Sequence, residues 1–518
     1  MATKSSNKQM SVNIIASLVS FGVTIGINFF LTPYLVDTLG TDAYGFIGLT
    51  NNFVQYATII TAALNSMSGR FISIAYHKGD KDKASRLFSS VLIANLIIAG
   101  VMLMATALIT GFIDVILSVP AELVTTVKIT FGLTFLSYVL SVITAIFTTS
   151  TYVKNRIDIN SIRDIISHLF KALIIVILFA LFPPQLYFVA LATLGSGIFL
   201  LVANITVKNK ILPDIKIDVK KFELGLVKTL IFAGIWMSLA QLSNILLSGL
   251  DLLICNITIG ATMMGLMSIA KTVPQCITIL ISTIANVFAP HYTILYAKNH
   301  ITELVKEVKF TSKILSFILT VPLAGFIVFG TDFYTLWQPS KTAEEIRIIQ
   351  TISVLACVTY LFTAHTQALT MLNSVCNKMK LPVFVTLGIG IVSTISVLII
   401  VNVFNLSEEL DAYIIVGLSS MLMSLRSVIF IPIYSAYLLK QKKTTFYPTI
   451  LRGWLTFAVV ATLFVLVRHF VVINSWLTLL AVCITAGIIG YVLSIPLLFN
   501  RFEIEKFKKT IFKKLKKA

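Results

Sequence analysis

Long apolar stretches alternate with short loops along this chain, and nearly all of the Lys and Arg fall in every second loop. Fourteen apolar stretches lie near residues 12–36, 43–67, 87–112, 124–149, 160–182, 184–206, 227–253, 262–290, 311–331, 347–372, 381–404, 411–438, 449–467 and 476–498. Each can cross a hydrocarbon core of about 30 Å at about 1.5 Å rise per residue. The pattern predicts an all-α polytopic membrane protein of fourteen transmembrane helices. With 57% hydrophobic and only 12% charged residues, the composition is that of a membrane protein.

The charges orient the helices. Thirty-four of the 41 Lys and Arg lie in the termini and alternate loops of one side. Only Lys341, Arg347 and Arg468 lie on the other, and Lys128, Lys171, Lys271 and Arg426 lie inside spans. Cytoplasmic loops carry the excess of Lys and Arg, so both termini are expected in the cytoplasm. The net charge of +19 is therefore a topology signal, and nucleic acid is not an expected partner. The five Cys sit in or beside apolar spans and read as small core residues, with no metal site or disulfide framework. The first span is too long for a signal-peptide core and is expected to be retained.

The loops exclude several function classes. No soluble domain interrupts the array, and the outward loop near 332–346 holds under twenty residues. There is no Walker Gly-Lys-Ser/Thr loop and no His-Glu-x-x-His. Lipid-dependent glycosyltransferases, polymerases and ligases would show a large outward loop. The reading is therefore not an enzyme but a transporter, with no cofactor; the residues leave a coupling ion, Na+ or H+, open. The inward connection around 213–222 alternates apolar and charged residues and is expected to lie on the membrane surface.

A shift of 220 residues aligns the start of the two halves without a gap. Gly40 falls on Gly260, Gly45 on Gly265, Gln55 on Gln275, Thr58 on Thr278, Tyr76 on Tyr296 and Lys78 on Lys298. The shift spans an even number of helices, so the repeat is parallel, about an axis along the membrane normal. The expected organisation is an N-lobe over 1–206, a cytoplasmic linker over 207–226 and a C-lobe over 227–440. Two further helices follow over 441–499, then a basic amphipathic tail over 500–518. The tail places Ile504, Phe507, Ile511 and Leu515 on one face among lysines, as an interfacial helix for anionic lipids does.

Polar stripes coincide under the repeat. Asn13, Ser17, Ser20, Thr24 and Asn28 share one face of the first span, and Gln241, Asn244, Ser248 and Asp251 one face of the seventh. Asn51, Gln55, Thr58 and Asn65 line the second, and Lys271, Gln275, Thr278 and Ser282 the eighth. A polar stripe in a membrane helix meets protein or water, not lipid. Helix–helix hydrogen bonding explains any one stripe. Four stripes on corresponding helices favour an aqueous cavity, lined by Thr24, Asn28, Asn51, Gln55, Asn244, Ser248, Gln275 and Thr278.

That cavity is expected to be cationic. Lys171 and Arg426 are central in their spans, and Lys271 lies about a third of the way in. A basic residue at a helix centre costs about 2.5–3.5 kcal/mol, so it requires water, a counter-ion or a substrate. Asp164, His168 and Lys171 share a face, so a structural ion-paired stripe competes there. Arg426 has no acidic residue within two turns of its helix. Lys171, Lys271 and Arg426 are the candidate contacts to an anionic substrate, phosphates being the obvious class. Asp251 is the candidate gate or counter-ion. Pro274, one turn after Lys271, frees the carbonyl of Ala270 and is expected to kink the eighth span.

The run Leu31-Thr-Pro-Tyr-Leu-Val-Asp-Thr-Leu-Gly-Thr-Asp-Ala-Tyr-Gly-Phe46 resembles the span-one-to-two signature of polysaccharide-transporter flippases, which carry O-antigen or capsule repeat units. Leu250 to Ile254, with Gly260 and Gly265, resembles the start of their second lobe. The resemblance implies a two-lobed fold of the multidrug, oligosaccharidyl-lipid and polysaccharide exporter superfamily. It further implies alternating access, the bacterial cytoplasmic membrane and an undecaprenyl-diphosphate-linked oligosaccharide as cargo, with polysaccharide polymerase machinery as a partner. Flippases of lipid-linked peptidoglycan precursors are the neighbouring alternative. A multidrug/cation antiporter on the same fold would need buried carboxylates where this chain has basic groups.

Overall fold

A computed structural model describes residues 2–404, 406–500 and 503–504; the side chains of 2–8, 10, 11, 14, 286 and 287 are not described. Among the described residues there is no strand, and fourteen long helices follow one another in the order the apolar pattern predicts. They are α1 Ala2–Leu39, α2 Thr41–His77, α3 Lys81–Gly111, α4 Ala121–Val153, α5 Ile157–Leu181, α6 Leu186–Ile211 and α7 Leu224–Gly249. Then come α8 Ala261–Ala297, α9 Ile301–Trp337, α10 Ala343–Val375, α11 Lys380–Val403, α12 Glu408–Leu438, α13 Tyr447–Phe470 and α14 Trp476–Leu498. Thirteen are long and apolar enough to cross a membrane. The other, α2, has 37 residues and is diluted by Asn51, Asn52, Gln55 and Asn65. The protein is a multi-pass membrane protein.

The basic ends of the helices are finished in one repeated way. After α2, α4, α8, α10 and α12 comes a residue at positive φ: Gly79, Asn155, Asn299, Asn377 and Lys440. At each, that residue's N–H bonds back three residues and the next N–H five, as in Asp80 to Ala75 at 3.1 Å and Arg156 to Thr151 at 2.8 Å. These paired bonds satisfy orphan carbonyls of the last turn. Lys78, Lys154 and Lys298 stand beside three of these turns, where cations meet the negative end of the helix dipole. After α1 and after the helical piece Asp251–Thr258 that follows α7, the repeat-related Gly40 and Gly260 carry φ of 86° and 137°, which favour glycine in both turns.

By packing, the chain divides into two compact units: residues 1–269 with 383–412, and 270–382 with 413–518. This division follows contacts, whereas the repeat follows chain order, and α7 packs with the first unit. Within the first unit, α2 meets the opening turns of α8 at repeat-related positions. A Cβ on Gly45 would lie 2.9 Å from the Gly265 Cα, and one on Gly48 would strike the Ser268 hydroxyl. Both approaches join residues 220 apart, the interval at which the glycines of the two halves align.

Two expectations about the surfaces fare differently. The 213–222 segment does not lie free on a membrane surface. Its backbone is bound to α3: Lys216 N–H to the Ser85 hydroxyl at 3.3 Å, Asp218 to Ser89 at 3.0 Å and Glu223 to Ser90 at 2.9 Å. Leu212 and Ile215 are buried in the core formed by α2, α3 and α4. The alternation seen in the sequence is a tether with one face inward, a choice that three serines on another helix decide. Lys81 donates to Asp214 and holds that carboxyl below its ordinary range, helped by the Tyr76 hydroxyl. The amphipathic reading of the basic tail falls almost wholly outside the described residues.

Candidate functional site

In the first unit the polar stripes separate into packing and exposed parts. Asn13 is tied to Asn155 at 3.1 Å and receives the Asp158 N–H, while Asn65 accepts from Asn95 at 3.1 Å. These residues join helices by hydrogen bonds, which is one of the two uses a polar stripe can have. Thr24 turns its hydroxyl onto the Ser20 carbonyl at 2.9 Å. Asn28, Asn51, Gln55, Asn244 and Ser248 are exposed, on α1, α2 and the last turns of α7. The amides of Asn28, Asn51, Gln55 and Asn244 have no hydrogen-bond partner among the described residues.

The residue beside each exposed one does the packing. Asn52, next to Asn51, is buried and donates to the Gly249 carbonyl at 3.3 Å. Tyr56, next to Gln55, donates to the same oxygen at 2.7 Å. Neither was singled out by the stripe argument, because both lie just off it. Their target is a carbonyl in Ile245–Gly249, a π-helical turn within α7 that hydropathy does not reveal. Asp251 begins the next helical piece, Asp251–Thr258, and is 6% exposed; an acceptor at a helix N-terminus is well placed.

On α5, Lys171 is half-buried. Asp164, His168 and Lys171 form no ion pair with one another among the described residues. The neighbouring Arg163 is instead the packed cation: it is 6% exposed, donates to Asn204 at 2.5 Å and also binds Asn160.

The second unit holds Lys271, Gln275, Thr278 and Arg426. The kink expected from Pro274 is present as a break. Residues 261–270 and 272–297 are separate helical pieces, and Lys271 stands between them. The freed Ala270 carbonyl accepts from Ser353 at 2.5 Å and Tyr334 at 3.4 Å. Beyond the break Gln275 and Thr278 are exposed. Gln275 has no side-chain partner among the described residues, and Thr278 meets the Tyr360 hydroxyl at 2.6 Å. Tyr360, on α10, is a polar neighbour the sequence did not single out.

Arg426 opens a second π-helical turn, Arg426–Phe430, inside α12. The turn packs against α10, which also carries Tyr360 and packs against residues 272–297. Tyr447 donates to the Val428 carbonyl of the turn at 3.0 Å. The Nε of Arg426 is buried with no hydrogen-bond partner, and no carboxylate pairs with its guanidinium among the described residues. Each unit thus holds a half-buried cation within a helix, Lys171 in the first and Arg426 in the second, and exposed amides on other helices. Among the described residues no group of three or more His, Cys, Asp or Glu could hold a metal ion.

Comparison with known proteins places this architecture. Residues 11–296 match the family described as polysaccharide biosynthesis protein, over half of the chain. The chain belongs to that family. This bears out the resemblance carried by Leu31 to Phe46 and by Leu250 to Ile254. A relative from Bacillus subtilis (strain 168), described as the uncharacterized membrane protein EpsK, is 28% identical over 509 residues. That alignment covers 97% of this chain and 99% of the relative. Among solved structures, the lipid II flippase MurJ in an inward closed conformation gives a TM-score of 0.66 at 14% identity, covering 93% of this chain and 97% of that one. An inward-facing multidrug resistance transporter of the MATE family and MOP superfamily gives 0.64 at 17% identity, covering 83% and 99%. The family member thus has the fold shared by MATE transporters and MurJ.

Proposed function

We propose that this protein is a flippase for an anionic lipid-linked saccharide. Its cargo is an oligosaccharide repeat unit on undecaprenyl diphosphate, carried from the cytoplasmic to the outer leaflet of a bacterial cytoplasmic membrane by alternating access. Both termini lie in the cytoplasm, as the 34-to-3 distribution of Lys and Arg requires. The observation that carries the reading is Arg426. A guanidinium half-buried in a membrane helix, with its Nε unpartnered, keeps its desolvation cost uncompensated until an anion arrives. A diphosphate fits a planar fork of donors. The exposed amides of Asn28, Asn51, Gln55, Asn244 and Gln275 add hydrogen-bonding groups of the kind a hydroxyl-rich sugar uses. A cation-exporting antiporter is disfavoured, because like charges at Lys171 and Arg426 would repel its cargo.

The test is flipping of a lipid-linked diphosphate saccharide in proteoliposomes. Arg426→Ala should lower the rate by about 10–100-fold, the worth of a charged hydrogen bond. Arg426→Lys should fall between the two, because charge survives and the bidentate fork does not. Wild-type flipping by Arg426→Ala at equal protein density removes the reading. Replacing the glycan with a peptidoglycan precursor separates the proposed cargo from the alternative that MurJ's name suggests.

A further inference from the structure

The π-turn of α7 is held open from two sides. A π-turn accommodates one residue more than an α-turn and closes i→i+5 instead of i→i+4 hydrogen bonds, a geometry that is rare without support from outside the helix. Here two of its backbone carbonyls accept from other helices. The Gly249 oxygen takes the Tyr56 hydroxyl at 2.7 Å and the Asn52 amide at 3.3 Å, both from α2. The Leu246 oxygen takes the Thr394 hydroxyl at 2.8 Å, from α11. The α11 backbone lies directly against the turn: a Cβ on Gly390 would come within 3.0 Å of the Leu246 Cβ and 3.1 Å of the Ser243 oxygen. Just before the turn, Ser243 reaches back to the Val383 carbonyl at 3.4 Å.

The turn sets what α7 presents. Ser248 is exposed in the present register, whereas Leu247 is 2% exposed and Asp251 6%. Converting the turn to α-helix would rotate one side against the other by about 100° and displace it by about 1.5 Å. That rotation exchanges neighbouring residues between the buried and exposed faces.

We propose that Asn52, Tyr56 and Thr394 are positioning residues that hold α7 in the π register. Release of this clamp lets α7 change register, so that the polar face around Ser248 is presented in one state and withdrawn in the other. The role in moving cargo rests on the flippase reading; the register itself is measured without cargo.

The experiment uses the full chain, freed of its five cysteines and reconstituted in vesicles, with one cysteine placed at Ser248 or at Leu247. The probe is a water-soluble maleimide. With the clamp intact, Ser248→Cys should react fast and Leu247→Cys slowly. Tyr56→Phe with Asn52→Ala and Thr394→Val should lower the rate at 248 and raise that at 247, each by more than about fivefold, the worth of a single hydrogen bond of about 1 kcal/mol. Deleting Leu246, which removes the additional residue of the turn, should give the same exchange. Tyr56→Phe alone removes one hydroxyl with no change of shape and should shift both rates in the same direction by less. Unchanged rates in Tyr56→Phe and in the folded triple variant would overturn the clamp. Exchanged rates with undiminished flipping would instead uphold the clamp and overturn its part in transport. Exchanged rates with failed flipping of every diphosphate lipid by the unmutated chain would uphold the clamp and refute the flippase reading alone.

Discussion

Helices α2 and α8 occupy equivalent places in the repeat and differ in one decisive way. Asn51 and Lys271 are repeat mates, as are Val54 and Pro274. Through Val54, α2 runs unbroken for 37 residues, and Asn51 sits on a continuous helix. Pro274 lacks an N–H, so the Ala270 carbonyl has no helical donor and α8 breaks at Lys271. Ser353 and Tyr334 take over that carbonyl. Repeat-related positions thus carry an amide on an unbroken helix and a cation at a break between two helical pieces. The opening turns, where Gly45 faces Gly265, are alike; the difference begins only beyond the crossing.

The largest expected effect comes from destroying what the two helices share. In Gly265→Ala the new Cβ would strike the Thr41 carbonyl oxygen, a backbone atom that cannot swing away. Overpacking of this kind costs about 1–3 kcal/mol or more, so the detergent-solubilised protein should melt well below the wild type. An unchanged melting temperature would mean the crossing is looser than described.

Making the second helix chemically like the first is the next test. Lys271→Asn gives α8 the residue of α2 and should reduce flipping by about tenfold, if its charge meets the cargo diphosphate. Melting is measured alongside, because a purely structural lysine would lower stability and rate together. Healing the joint is milder. Pro274→Val restores the donor for Ala270, and flipping should drop a few-fold while the helix gains about 1 kcal/mol from the recovered bond. Wild-type flipping by Pro274→Val would show that the joint is only a packing kink.

The smallest effect concerns the tether that follows α6. Asp214 titrates below its ordinary value because Lys81 and Tyr76 hold its ionised form. A depressed carboxyl stabilises the folded state above its unfolded pKa, and the benefit is lost as pH falls through the lower folded value. Acidification below the usual carboxylate range should therefore speed proteolysis at 212–223 slightly, and Asp214→Asn should remove that pH dependence.

Much of this molecule was legible in its sequence. Fourteen helices, their order and the parallel repeat follow from hydropathy and from glycines at a fixed interval, because lipid permits little else to a backbone. Pro274 announced the break in α8, since a missing donor is a property of the residue itself. Arg426 was visible as a cation with no carboxylate within two turns of its own helix, and Lys171 as a cation near the centre of its span. What the sequence left undecided depended on partners far along the chain. It did not show which polar residues merely bind helices together, as Asn13 and Asn65 do, and which stay exposed, as Asn28 and Gln55 do. Nor did it show that Asn52 and Tyr56 do the work beside Asn51 and Gln55, or that the 213–222 segment is tied to three serines of α3. The π-turns at Ile245–Gly249 and Arg426–Phe430 left no mark in periodicity, because an additional residue in a helix is kept only where donors such as Tyr56, Thr394 and Tyr447 arrive from other helices to satisfy its carbonyls.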